Sequence, residues 1–146
     1  MTSVKSKDGP YVRYYDNGEV EFQSTYKAGE QDGPSVSYHD NGQVWIKGTY
    51  KDDERDGRWV RYHDNGQLEY KGTYKDGKQH GPWVRYDKSG KLRSKENYKN
   101  GKKEGAWVSY YENGQLDSKT TYKDDELNGL YEFYRPDGQE KFSPKC

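Results

Sequence analysis

The stretch Gly57-Arg58-Trp59-Val60-Arg61-Tyr62-His63-Asp64-Asn65-Gly66-Gln67-Leu68-Glu69-Tyr70-Lys71-Gly72-Thr73-Tyr74-Lys75-Asp76 reads as two extended segments around one tight turn. Trp59 to Tyr62 is β-branched and aromatic, which suits a pleated, half-buried strand. Asp64-Asn65-Gly66 is a turn signal, and Leu68 to Tyr74 supplies a second strand. The same text recurs along the chain. Gly9, Gly33, Gly57, Gly81, Gly105 and Gly129 are spaced by 24 residues, and so are Gly18, Gly42, Gly66, Gly90, Gly114 and Gly138. Tyr14, Tyr38, Tyr62, Tyr86, Tyr110 and Tyr134 keep that step, as do Tyr26, Tyr50, Tyr74, Tyr98 and Tyr122, whose sixth place holds Cys146. Four series with one period define tandem units without insertions. The expected fold is all-β: six 24-residue β-hairpin repeats in one antiparallel meander over residues 9–142, with a lead at 1–8 and a tail at 143–146.

The hydrophobic pattern also selects a turn. A two-residue Asn-Gly loop would pair Tyr62 with Glu69 and leave Leu68 and Tyr70 on the opposite face. A three-residue Asp-Asn-Gly loop, a type I turn closed by a glycine bulge, pairs Tyr62 with Leu68 and Val60 with Tyr70. Slipping by one residue flips every side chain, so the second register predicts Val60, Tyr62, Leu68, Tyr70 and Tyr74 on one buried face. It places Gly66 at positive φ, where glycine is favoured. Trp59, Arg61, His63, Glu69 and Lys71 then point the other way, with Trp59, Trp83 and Trp107 opposite Lys71, Lys95 and Lys119 as cation–π pairs.

Composition narrows the function. Of 146 residues, 28% are hydrophobic and 34% charged. Val, Ile, Leu and Phe together make roughly 12%, below the level expected of an ordinary globular core. The 16 Tyr and 4 Trp oppose a disordered reading, so any core is built from aromatic rings. The 25 basic and 25 acidic residues cancel, which argues against a general nucleic-acid binder. No window approaches the 18 apolar residues of a membrane-spanning helix. Cys146 is the single cysteine, so an intrachain disulfide is excluded and a thiolate metal site is not expected. With no apolar signal core near Met1, a cytoplasmic, reduced setting is expected.

With their G-x-W-x-x-Y-x-x-N-G core and following T-Y-K-x-G, the units resemble MORN repeats, most closely the bacterial variant with a longer, Tyr-rich unit. Tyr11 and Ser35 stand where the first two units should carry Trp, and the sixth has Glu140 in the Leu place. Atypical end units suit the caps of a repeat array. The resemblance implies an elongated, twisted, trough-like sheet that serves as a protein-interaction scaffold. It brings two further associations, with anionic phospholipid surfaces and with antitoxin or immunity proteins that neutralise a toxin by direct binding.

Catalytic chemistry finds little support. His39 and His63 occupy one repeat position and read as solvated strand ends. The carboxylates of Asp52-Asp53-Glu54-Arg55-Asp56 and Asp124-Asp125-Glu126 read as solvated turns, without the ligand spacing of a calcium loop. No catalytic residue, metal site or cofactor is expected, and the chain is read as a non-enzymatic protein-binding module, possible partners including a cognate toxin. The candidate binding surface is the outward face of the central units: Trp45, Trp59, Trp83, Trp107, Arg61 and Arg85, residue types enriched at interface hot spots. Trp45 stands out because its place is charged in other units, holding Glu21, Glu69, Arg93 and Asp117. The competing site is an inward trough lined by the Tyr series. The alternative function is a scaffold on anionic membrane, through rows such as Lys47, Lys71, Lys95 and Lys119. Partner identity and oligomeric state stay open at this level.

Overall fold

The computed structural model describes residues 8–129 and 131–142, the side chains of 140–142 excepted. The lead's first seven residues and the tail with Cys146 lie outside the described residues. Everything described is strand or turn. The strands are Gly9–Tyr14, Val20–Lys27, Glu30–Tyr38, Val44–Lys51, Glu54–Tyr62, Leu68–Lys75, Gly81–Tyr86, Leu92–Lys99, Gly105–Tyr110, Leu116–Lys123, Glu132–Tyr134 and Glu140–Phe142. They pair in that order as one open antiparallel sheet. Short pieces at Lys78–Gln79, Lys102–Lys103 and Glu126–Leu127 are the starts of strands that run unbroken in earlier units. At the usual strand spacing the array is on the order of 50 Å long. No helix of the described residues is long and apolar enough to cross a membrane.

The Asp-Asn-Gly turn forms as expected. Gly66 N–H donates to the His63 carbonyl at 3.0 Å, and His63 N–H donates to the Gln67 carbonyl at 2.8 Å. Gly66 sits at φ 87°, the conformation that requires glycine. Tyr62 pairs with Leu68, as the register argument requires.

One residue further, the expectation fails. Arg61 pairs with Tyr70 instead of Glu69, so Glu69 is an extra residue bulged out of the ladder. The same irregularity recurs between Arg13 and Tyr14, Ser37 and Tyr38, Arg85 and Tyr86, and Ser109 and Tyr110. A bulge reverses the alternation of the rest of the strand. Tyr70 and Tyr74 therefore join Trp59 and Arg61 on one face, while Val60, Tyr62, Leu68 and Lys71 share the other. The two Tyr series separate: Tyr26, Tyr50, Tyr74, Tyr98 and Tyr122 belong to the Trp face, and Tyr14 to Tyr110 to the Lys face. Trp59, Trp83 and Trp107 stand opposite Gly72, Glu96 and Thr120, and the expected Trp–Lys pairs do not form. Lys71 instead lies between Val60 and Val84.

The Trp face is the core. Trp59 is 3% exposed and Trp83 1%, with no second layer over them among the described residues. Neighbouring rings provide most of the cover. Tyr50, Trp59, Tyr74, Trp83, Tyr98, Trp107 and Tyr122 form an edge-to-face ladder with centroids 5.1–6.1 Å apart, the geometry favoured by aromatic quadrupoles. Each indole crosses to the previous unit. Trp59, Trp83 and Trp107 donate their ring N–H to the carbonyls of Thr49, Thr73 and Asn97, at 3.1, 3.2 and 2.8 Å. The Gly57 series serves this crossing: Gly57 sits at φ 75°, where the pairing with the previous unit breaks between Val60 and Asp56.

Both long edges are also stitched between units. Asn41 Nδ2 donates to the Asp64 carbonyl at 2.8 Å, Asn65 to Lys88 at 2.7 Å and Asn113 to Pro136 at 2.7 Å. His39 and His63 are not solvated strand ends, since their Nε2 atoms meet the Tyr62 and Tyr86 carbonyls of the next unit at 3.0 and 3.1 Å. At the opposite edge the acidic links are two-residue turns with both central residues at positive φ, such as Asp52 and Asp53. Asp53 accepts from Gln31 N–H at 2.7 Å and returns its own N–H to the Gln31 carbonyl. Asn65→Ala removes its bond to Lys88 and its cap on Gln67 N–H. It should lower stability by about 1 kcal/mol, measured by urea unfolding.

Candidate functional site

The sheet brings the residues expected at the site onto one face, but that face is interior for most of them. Trp59 and Trp83 are buried and Trp107 is half-buried. The outward-face reading of these Trp residues is corrected, because the bulge at Glu69 turns Tyr70 and Tyr74 toward them and the rings bury one another. Cations do stack on the ladder, but from other positions: Arg55 lies 4.5 Å from the Trp59 ring centroid and Lys103 Nζ 4.6 Å from that of Trp107.

Trp45, Arg61 and Arg85 sit where the Trp face meets the Asp-Asn-Gly edge. Trp45 is itself a bulge residue, and Arg61 lies over its ring at 5.2 Å, with His39 on it at 5.7 Å. Its place does have a repeat-structural role. Where Trp45 takes a guanidinium on its ring, Glu69 takes Arg61 Nε at 3.0 Å and Glu21 takes Arg13 Nε at 3.0 Å.

Arg85 departs from this pattern because its own bulge residue is Arg93. It turns to Glu96, Nε to Oε2 at 2.9 Å, and lies over Tyr70 at 5.3 Å. Glu96 occupies the place of Gly48 and Gly72, and its side chain is only 7% exposed. Ser94 Oγ donates to Oε2 at 2.8 Å and the Tyr98 hydroxyl to Oε1 at 3.1 Å. A buried carboxylate requires such pairing. Burial, and then the Glu96 charge, push the Tyr98 phenol above its usual range, so it remains a proton donor. Beside this cluster a recess of about 330 Å³ opens between Trp107, Tyr122 and Phe133, floored by Ser94, Ser109 and Ser118. Among the described residues no group of three or more His, Cys, Asp or Glu could hold a metal ion.

The Lys face is the feature that sequence reading placed wrongly. Between Asp56 and Glu104 its charged side chains are Arg58, Lys71, Lys75, Lys78, Lys95, Lys99 and Lys102, all exposed and with no carboxylate among them. Half-buried Val60, Tyr62, Leu68, Val84, Tyr86 and Leu92 lie between them. Two shallow recesses, about 230 and 440 Å³, line this face beside Arg58, Lys71 and Lys47. Within this stretch the acidic residues sit along the two turn edges and on the Trp face, whereas Glu54 and Asp56, opposite Lys51 and Thr49, close the basic run at one end. The 24-residue lysine period was visible in the sequence; which residues share its face depends on the bulge.

The repeat pattern of one family, the MORN repeat variant, matches residues 7–28, 31–52, 55–76, 79–100 and 103–124. The sixth unit lies beyond the matched residues, although the sheet continues through Glu132–Tyr134 and Glu140–Phe142. No curated protein matches the chain.

Proposed function

The chain belongs to the MORN repeat variant family, whose repeats serve as binding modules, and from that premise we propose that it is a non-enzymatic module that binds an acidic protein partner through its Lys face. The observation that carries this reading is the carboxylate-free run of exposed bases from Arg58 to Lys102, interleaved with half-buried Val, Leu and Tyr. Apolar contact supplies affinity, and a single sign of charge supplies steering and selection. The finer form of the proposal is an antitoxin or immunity protein of the Tyr-rich bacterial kind. A rigid face of this length can cover a toxin's active site without any chemistry of its own.

The test begins by identifying the protein retained by the full chain from its source lysate and purifying it. The Lys71→Glu, Lys95→Glu double variant should leave the thermal midpoint nearly unchanged and weaken that partner by more than tenfold, the effect of reversing rim and hot-spot charge. Wild-type affinity should fall as salt rises. Unchanged affinity in the double variant would remove the Lys face from the interface. Protection of cells from the partner's toxicity distinguishes immunity from other binding roles. The same lysine rows favour a second reading, a scaffold on anionic lipid. That reading requires co-sedimentation with anionic phospholipid vesicles at physiological salt, lost in the same variant.

A further inference from the structure

The Lys face is ruled lengthwise, across the strands. One row alternates Val60, Lys71, Val84, Lys95 and Val108, each paired with the next. The row beside it is apolar, Tyr62 with Leu68 and Tyr86 with Leu92. The two shallow recesses are one feature repeated: Lys71, Thr73 and Val84 line one where Lys47, Thr49 and Val60, each 24 residues earlier, line the other. Carboxylates close the basic stretch at both ends. Asp56 lies opposite Thr49, and two units further on Glu104 donates its N–H to the Asn97 carbonyl.

We infer that this face receives an acidic, amphipathic α-helix of a protein partner, lying along the array and crossing the strands. The apolar and basic rows run along the array, so the stripes of the occupant run that way too. Two strand spacings make each unit about 9.5 Å deep, which an α-helix covers in about six to seven residues. One heptad therefore meets one unit. Its apolar stripe lies on the row of Tyr62 and Leu92, and about every seventh residue is a carboxylate against Lys71 or Lys95. The acidic segment is about 13 residues long, matching the roughly 19 Å between the Asp56 and Glu104 ends. An extended peptide fits worse. This face offers side chains and not a strand edge, so the peptide's N–H and C=O groups would lie unpaired over half-buried Val60 and Val84. A helix pairs its own. The inference rests on the Lys-face reading and names what the partner places there.

The probes are three synthetic peptides of about three heptads each. The first has Leu at a and d and Glu at e and g, the like charges keeping it from pairing with itself. The second reorders the same residues into strict apolar–polar alternation. The third is the first with a central Pro-Pro pair, which breaks the helix. Fluorescence anisotropy with the full-length chain should show saturable binding of the heptad peptide, with helical Cα shifts in its bound form. The other two peptides should bind at least tenfold more weakly. A peptide Glu→Lys change that restores binding to Lys71→Glu should have a counterpart about seven residues along that restores binding to Lys95→Glu. No saturable binding of the heptad peptide, equal binding of all three, or rescue without that spacing would each overturn the helix. Equal binding that is still lost in the Lys71→Glu, Lys95→Glu variant overturns the helix and leaves the Lys-face reading standing. Heptad binding undiminished in that variant removes the Lys face, and the helix on it, together.

Discussion

Replacing Trp83 with alanine is expected to cost about 3–5 kcal/mol, the range for a fully buried large aromatic. The ring is 1% exposed and touches Tyr70, Tyr74 and Tyr98 with centroids at 5.3, 5.3 and 6.1 Å. It also donates to the Thr73 carbonyl of the preceding unit, which would lose that partner. Among the described residues, strands pair only with sequence neighbours, so the array is close to one-dimensional and each unit is held by those beside it. Trp83 fastens the fourth unit to the third. Urea unfolding followed by both far-ultraviolet dichroism and tyrosine fluorescence should show a single wild-type transition split in the variant, with a reduced slope for the first step. Tyr62→Ala is the comparison. Tyr62 is half-buried on the Lys face, so its loss should cost distinctly less. Equal costs would mean that the Trp face is not the core.

Gly72→Ala should also be severe for a side chain one carbon in size. Its backbone is not at positive φ, so conformational freedom is not why glycine stands there. The reason is space: a Cβ on Gly72 would lie 2.1 Å from Trp83 Cδ2, and one on Gly48 equally close to Trp59 Cδ2. The buried indole cannot move aside without breaking its hydrogen bond and its ring contacts. Overpacking of this kind costs about 1–3 kcal/mol, occasionally more. A double-mutant cycle identifies the cause. With Trp83 already alanine, the added Gly72→Ala should cost almost nothing, a strong departure from additivity for residues in contact. If the two losses add, the glycine serves some purpose other than receiving the indole.

These two residues mark where sequence reading stopped. An uninterrupted period of two beyond the Asp-Asn-Gly turn predicts the register, and Tyr62 does pair with Leu68. Glu69 then adds a residue that no local propensity announces, and everything after it changes face. The clue lay in the pairing of sizes: Gly48 and Gly72 precede Trp59 and Trp83 by one spacing, as a hollow precedes the ring that fills it. Trp45 was conspicuous in sequence, yet its role as a ring under Arg61 required the neighbouring unit to be in place. His39 and His63 looked solvated because their acceptors, the Tyr62 and Tyr86 carbonyls, lie in the following unit.

By itself, the sequence determined the number of units, their 24-residue length, the type I turn with Gly66 at positive φ, the meander topology and an aromatic rather than aliphatic core. All of these depend on contacts within a hairpin or on composition. Only the tertiary structure decided which face is the core and which lysines stand together without carboxylates. Those depend on strands paired between units, and one bulged residue per hairpin reverses the facing of each strand without changing a letter of the repeat.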